Sequence, residues 1–179
     1  LRAVRGNLLL CAPGHGSKSL VVTSTGPGEG KTVVAANLAI ALAQAGRRVL
    51  LIDADLRRSQ LHEFFKTPLD PGLSGVLDGR MPVADAMRPS GVPGLSLLTA
   101  GVPDGTSIDL LEVPAITDVI DGLRDQFEWI VIDSPPVMAG PDASSLAQAA
   151  TGVVFVVGAK MTSSRDARAA LEQLQDTHA

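Results

Sequence analysis

Residues Gly26 to Thr32 read Gly-Pro-Gly-Glu-Gly-Lys-Thr, directly after the apolar run Ser19-Leu20-Val21-Val22-Thr23 and before a stretch with helical spacing. Phosphate binding is the chemistry this context serves. A glycine-rich turn can aim successive backbone N–H groups at one anion, a helix N-terminus adds its positive end, and a lysine supplies a mobile point charge. The expected ligand is ATP, held by Gly26, Pro27, Gly28, Glu29, Gly30, Lys31 and Thr32. In the general pattern G-x-x-x-x-G-K-[ST] the first glycine falls on Thr25 here, but Gly26, Gly28 and Gly30 keep the backbone permissive where it must approach a ligand.

Two further apolar runs end in acid: Leu50-Leu51-Ile52-Asp53-Ala54-Asp55-Leu56-Arg57 and Ile130-Val131-Ile132-Asp133-Ser134-Pro135-Pro136. A lone strand-end aspartate is as often a turn or helix cap as a ligand. Two of them beside a phosphate loop point to a cation site. Mg2+ takes octahedral oxygen ligation and keeps several waters, so it needs a hydroxyl and one or two carboxylates from the protein. Thr32, Asp53 and Asp133 supply that set.

The elements that must position these residues follow from patterning. Apolar runs at Ser19–Thr23, Arg48–Ile52, Leu95–Leu98, Trp129–Ile132 and Val153–Val157 alternate with helical or turn-rich segments, which predicts an α/β fold with a doubly wound, mainly parallel sheet. Continuous rather than alternating apolar runs imply helices on both faces. After Lys31, the apolar residues Val34, Leu38, Ala41, Leu42 and Ala45 predict a helix ending at Gly46. Further helices are predicted over Pro114–Gln126, with Ile116, Val119, Ile120 and Leu123 on one face, and over Ser164–Thr177. From Thr67 to Asp104 the density of Pro and Gly predicts irregular structure with a short helix at most. In such a sheet, ligands bind at the carboxyl ends of the strands, so the loop and both aspartates converge there.

With 179 residues the chain is expected to be one domain, residues 1–179. The single Cys11 excludes a disulfide within it and fits a core position in a reducing compartment. A formal charge of −4 and no basic stripe argue against nucleic acid as a partner. No apolar run is long enough to span a bilayer. The start on Leu1, without Met, reads as an excised segment.

Taken together, Thr23 to Thr32, Asp53-Ala54-Asp55-Leu56-Arg57-Arg58 and Ile132-Asp133-Ser134-Pro135-Pro136 resemble the Walker A, A′ and B motifs of the bacterial tyrosine kinases. The Asp-x-Asp-x-Arg segment is the discriminating one. Gly72-Leu73-Ser74-Gly75-Val76-Leu77, Gly91-Val92-Pro93-Gly94-Leu95, Thr99-Ala100-Gly101 and Asp142 with the helix after it extend the resemblance over nearly the whole chain. It implies the P-loop kinase domain of capsular and exopolysaccharide assembly, at the inner face of the cell membrane through a transmembrane activator. Arg2 and Arg5 match arginines of a helix that joins subunits into a ring; an exposed helix with two solvated arginines is the simpler alternative.

The chain departs from that pattern in several places. It has no tyrosine, whereas the family phosphorylates a C-terminal tyrosine cluster, so the tail of a neighbouring subunit is the implied acceptor. It also stops at Ala179, before a further strand expected after the last helix. Ser59 replaces a frequent proline, and Gly158 a frequent basic residue.

For phosphoryl transfer, Lys31 and Mg2+ would neutralise charge while a carboxylate takes the phenol proton late. Asp55 is the candidate base and Asp53 the alternative; Asp133 completes the catalytic set. Arg57 either touches the γ-phosphate, orients its turn or makes a surface ion pair. Two rivals remain: a switch ATPase like the Min and Par proteins, whose signature lysine early in the loop is Gly26 here, and an ATP-binding scaffold without phosphotransfer. His15 reads as structural or exposed, His62 as either near the site or packed with Phe64 and Phe65, and Trp129 as a core anchor.

Overall fold

Each of the five apolar runs forms a parallel strand because both of its faces are covered. The computed structural model describes Gly6, residues 16–103, Leu111 and residues 113–176. Within them lie β1 (Lys18–Ser24), α1 (Lys31–Gln44), β2 (Val49–Asp53), α2 (Leu61–Phe64), α3 (Leu73–Leu77), α4 (Val83–Ala86), β3 (Arg88–Pro89), β4 (Leu95–Leu98), α5 (Val113–Leu123), β5 (Trp129–Asp133), α6 (Asp142–Ala149), β6 (Gly152–Val156) and α7 (Ser164–Asp176). A 3-10 turn occupies Val137–Ala139. Arg2, Arg5, Cys11, His15, Asp104 and Thr177 lie outside the described residues.

The six strands form one sheet in the order β3-β4-β2-β5-β1-β6, parallel throughout except for β3, which pairs antiparallel with β4. Successive strand residues enter different cores. Val21, Leu50, Ile52, Ile130 and Ile132 pack with Ile116, Ile120 and Leu123 of α5 and Leu146 of α6. Leu20, Val22, Val49, Leu51, Val131 and Trp129 pack with α1 on the opposite face. A smaller cluster seats Ala170 and Leu174 of α7 against Ala143 and Ala147 of α6. Burial of apolar surface on both faces at ~25 cal/mol per Å2 is the main stabilising term for such a sheet.

The helix expected after Lys31 forms, and of the residues whose spacing marked it Leu38 and Leu42 are buried. Ala35, Ala36, Leu38, Ala39, Leu42 and Ala43 are buried, whereas Val34 and Ala41 are only partly covered and Ala45 is exposed. Alanine has no rotamers to lose and little bulk, so this helix seats Ala35, Ala36, Ala39 and Ala43 directly on the sheet. Gly46, at φ +80°, ends the helix, its N–H donating to the Ala43 carbonyl at 2.9 Å.

The described residues 67–103 contain two short helices, α3 and α4, where one at most was expected, together with β3 and β4. Gly72 lies against the Thr99–Gly101 backbone so closely that a Cβ would collide with it. Leu73 and Ser74 donate their N–H groups to the carbonyls of Thr99 (2.7 Å) and Ala100 (2.8 Å). The two glycine-bearing segments of this region are thus one packed unit at the end of β4.

Candidate functional site

The loop between β1 and α1 uses glycine where its backbone leaves the region open to other residues. Gly28 has φ +83° and Gly30, the residue before the first helical turn, φ +86°. No side chain caps this helix end. The first helical bond runs from the Val34 N–H to the Gly30 carbonyl at 2.9 Å, so the N–H groups of Lys31, Thr32 and Val33 lie ahead of the ladder. A 14-residue helix with an uncapped N-terminus and a glycine turn before it is an anion site by construction.

Lys31 and Thr32 are both buried in the first turn of α1. The Lys31 ammonium stands 2.9 Å from Asp55 Oδ2, and both side chains are nearly covered. The other Asp55 oxygen accepts the Arg58 N–H at 3.0 Å, which closes the turn after β2. Asp55 and Lys31 line a cleft of about 290 Å3 whose walls include Pro27, Gly28, Arg57, Arg58, Gln60, Pro135, Pro136, Ala139 and Asp142. Arg57 stands at the mouth, 53% exposed and 3.7 Å from Asp142. Thr23 fixes the far wall by donating its hydroxyl to the Pro135 carbonyl at 2.8 Å.

Asp53 and Asp133 face each other in register at the ends of adjacent strands β2 and β5, both fully buried. They are satisfied very differently. Asp53 accepts three backbone N–H groups, from Asp55 (3.3 Å), Gln60 (3.2 Å) and Leu61 (3.1 Å), and thereby holds the start of α2. Burial still pushes its carboxyl up to about 6, opposed by the Leu61 N–H and reinforced by the charge of Asp55. Asp133 has no hydrogen bond to either buried oxygen. Its carboxyl is pushed up to about 7, first by burial and then by the Asp53 charge, with the Thr32 hydroxyl and the Lys31 ammonium opposing. The Thr32 hydroxyl is close enough to favour the Asp133 charge without reaching hydrogen-bond geometry.

A buried carboxylate with two free oxygens, next to a hydroxyl and a second carboxylate, fits a hard divalent cation. Thr32 and Asp133 present open oxygen donors, and Asp53 retains a lone pair beyond the three it uses.

Two loop residues face each other rather than the cleft. Glu29 Oε1 accepts the Gly26 N–H at 2.8 Å, and Glu29 reaches on to the turn after β6. His62 is absent from the cleft walls, beside Glu63 on α2. Trp129 begins β5 at the opposite edge of the sheet and is buried in the core. Of the cleft residues, Gln60 and Ala139 carried no signal in the sequence, while Arg58, Pro135, Pro136 and Asp142 entered only as members of their motifs.

Fold and loop together define a P-loop nucleotide-binding domain, and residues 20–175 match the family described as the CobQ/CobB/MinD/ParA nucleotide binding domain. The chain is 35% identical over 175 residues to the putative tyrosine-protein kinase EpsB of Ralstonia solanacearum, a match that takes in 98% of this chain and 23% of that protein. To the tyrosine-protein kinase YwqD of Bacillus subtilis it is 34% identical over 173 residues, 97% of this chain and 73% of the relative. Within the nucleotide-binding superfamily, the chain therefore belongs to the bacterial tyrosine kinase family.

Solved structures agree. The kinase domain of the Escherichia coli tyrosine kinase ETK superposes with a TM-score of 0.92 at 26% identity, covering 98% of this chain and 69% of that one. MinD of Pyrococcus horikoshii, solved in complex with Mg-ADP, gives a TM-score of 0.68 at 27% identity over 78% of this chain and 57% of its own. The chain thus spans about a quarter of EpsB and most of the shorter relative.

Proposed function

We propose that this domain is an ATP-dependent protein-tyrosine kinase that acts on the tyrosine-rich tail of a neighbouring subunit in capsular or exopolysaccharide synthesis and export. The carrying observation is the Lys31–Asp55 pair, set in an open cleft beside the unpartnered Asp133. A polyphosphate seated on the loop competes for the Lys31 ammonium, because its charge exceeds that of one carboxylate. Lys31 then leaves Asp55, which faces the acceptor space with a free oxygen.

In the transfer step the bond between the γ-phosphorus and its bridging oxygen breaks, and a bond from phosphorus to the phenolic oxygen forms. The phenol proton passes to Asp55. Asp53 is the poorer base: its oxygens are held by backbone N–H groups and it does not line the cleft. Thr32, Asp133 and Asp53 hold magnesium, which supplies charge neutralisation at the phosphates. Arg57, at the mouth, orients the incoming segment or the terminal phosphate.

The proposed partners are further copies of the chain, joined in a ring through the segment of Arg2 and Arg5, and a transmembrane activator that brings the domain to the inner face of the membrane. Among the described residues no helix is long and apolar enough to cross a membrane. The MinD likeness supports a second reading, a nucleotide-switched ATPase. Gly26 at the position of that group's signature lysine weighs against it.

The test supplies a tyrosine-rich tail peptide and ATP labelled on the γ-phosphate. Label is expected on tyrosine, and Lys31→Met should lower transfer at least a thousandfold. ATP-dependent dimerisation with hydrolysis and no labelled tyrosine would favour the switch instead.

A further inference from the structure

A glutamate inside a phosphate loop is an electrostatic liability, since it brings a negative charge to a polyphosphate site. Glu29 is arranged so that this charge is spent elsewhere. Its Oε1 accepts the Gly26 N–H at 2.8 Å and the Thr162 hydroxyl at 2.6 Å, and its Oε2 accepts the Gly158 N–H at 3.0 Å. These bonds, with a further N–H from Thr25, outweigh the effect of burial and hold its carboxyl below the usual range. Glu29 therefore stays ionised and turned toward the turn that joins β6 to α7.

The receiving turn is shaped for this contact. Met161 and Thr162 return their N–H groups to the Gly158 carbonyl at 3.0 and 3.2 Å, folding the segment into one tight loop. A Cβ on residue 158 would stand 3.1 Å from Glu29 Cγ and 3.3 Å from Met161 Cβ, so glycine is what lets the carboxylate reach its donors. Gly28 faces the same turn, with a Cβ there meeting Met161 Cε at 3.6 Å. Gly28 and Glu29 thus face residues 158–162 directly, and Gly26 is tied to that turn through Glu29.

We infer that Glu29 is a positioning residue: it clasps the phosphate loop to the β6–α7 turn, so that the loop is held ready for phosphates and nucleotide occupancy is felt at residues 158–162. The sequence placed Glu29 among the ligand contacts; the geometry instead gives its side chain a role behind the loop. A hydrogen bond to a charged group is stronger than a neutral one, and three on one carboxylate make a stiff link. The inference rests on nucleotide binding by the loop and is independent of phosphotransfer to tyrosine.

The test titrates a fluorescent ADP analogue with magnesium into the wild-type chain and its Glu29→Ala, Glu29→Gln and Gly158→Ala variants. Hydrogen exchange of residues 158–162 is followed alongside. Glu29→Ala should weaken the nucleotide about tenfold or more, with Glu29→Gln recovering part of the loss. Gly158→Ala should weaken it similarly but add little on top of Glu29→Ala, because both break one clasp. In the wild type, nucleotide should slow exchange at 158–162, and in Glu29→Ala that slowing should vanish.

A residue serving stability alone would lower the melting temperature while leaving affinity and the exchange response of the folded protein intact. That result would overturn the inference. So would wild-type protein that binds nucleotide with no change at 158–162, a measurement that needs no variant to fold. Wild-type protein that binds no nucleotide would overturn the reading of the loop itself along with this inference.

Discussion

The two edges of the sheet handle buried and half-buried charge in opposite ways. At the amino edge, Glu128 accepts from the Arg47 guanidinium at 2.9 Å and from the Arg48 N–H at 3.0 Å, and these bonds hold its carboxyl below the usual range. At the carboxyl edge, Asp55 pairs with Lys31, the charges of Asp53 and Asp55 bear on the buried Asp133, and Asp133 has neither oxygen bonded. The first arrangement satisfies its charges and does nothing else. The second gathers unfavourable electrostatics at one rim, which a cation and a phosphate chain would relieve, and that is a pattern of function rather than of stability.

The sharpest way to separate the edges is to neutralise one carboxylate at a time near the loop. Asp55→Asn keeps the shape and the bond from the Arg58 N–H but loses the capacity to take a proton. Transfer to tyrosine should fall about a hundred- to ten-thousandfold, with nucleotide affinity changed far less, because general-base catalysis contributes on that scale. Labelled-phosphate transfer and nucleotide titration on the same preparation check the split. Equal loss of both would place Asp55 in binding instead.

Asp133→Asn should do the reverse of an ordinary active-site lesion by stabilising the empty protein. The folded state raises this carboxyl from an ordinary 3.8 to about 7, so it binds the proton more tightly than the unfolded chain does. The contribution of this one group is then fully present near pH 4 and below, falls as pH rises through the window from about 4 to 7, and levels off above it. The cost at pH 8 is on the order of 4 kcal/mol. Urea melts at pH 5 and pH 8 should show the wild type losing stability at the higher pH and Asp133→Asn losing much less. Magnesium with nucleotide should stabilise the wild type and fail to stabilise the variant.

Much of the carboxyl edge was readable beforehand because motif and strand pattern agree there. The five runs marked the strands to within a residue at each end, and burial on both faces is what made them continuous. What was hidden depended on neighbours distant in sequence. Whether Glu29 faces a ligand or a turn is decided by Gly158 and Thr162, more than 120 residues away. That Asp53 would hold the start of α2 while Asp133 went unpaired follows from the path of residues 54–61, which no run of residue types announces. In α1 the spacing of Val34, Leu38, Ala41, Leu42 and Ala45 marks the helix, while its contact with the sheet also uses Ala35, Ala36 and Ala39, whose small side chains let the backbone approach.

That alanine contact sharpens the comparison from the side of packing. Ala39→Leu adds three carbons to a fully buried position on the face covered by Leu51 and Val131. Overpacking of this kind costs about 1–3 kcal/mol, which chemical denaturation should register as a lower midpoint with an unchanged slope.

The smallest effect belongs to the amino edge. Glu128 is about a third exposed and Arg47 about half, so solvent screens their pair, and Glu128→Gln should cost under ~1 kcal/mol. The sign of its pH dependence is opposite to that of Asp133. A carboxyl held below its usual range contributes stability that is present above the unfolded value near 4.5 and is lost as pH falls through the lower folded value. The variant should therefore differ from the wild type at neutral pH and converge on it in acid, with no change in nucleotide affinity at any pH where both are folded. A measurable loss of affinity would mean that the two edges are coupled through β2 and β5, and the separation between a stabilising rim and a functional one would fail.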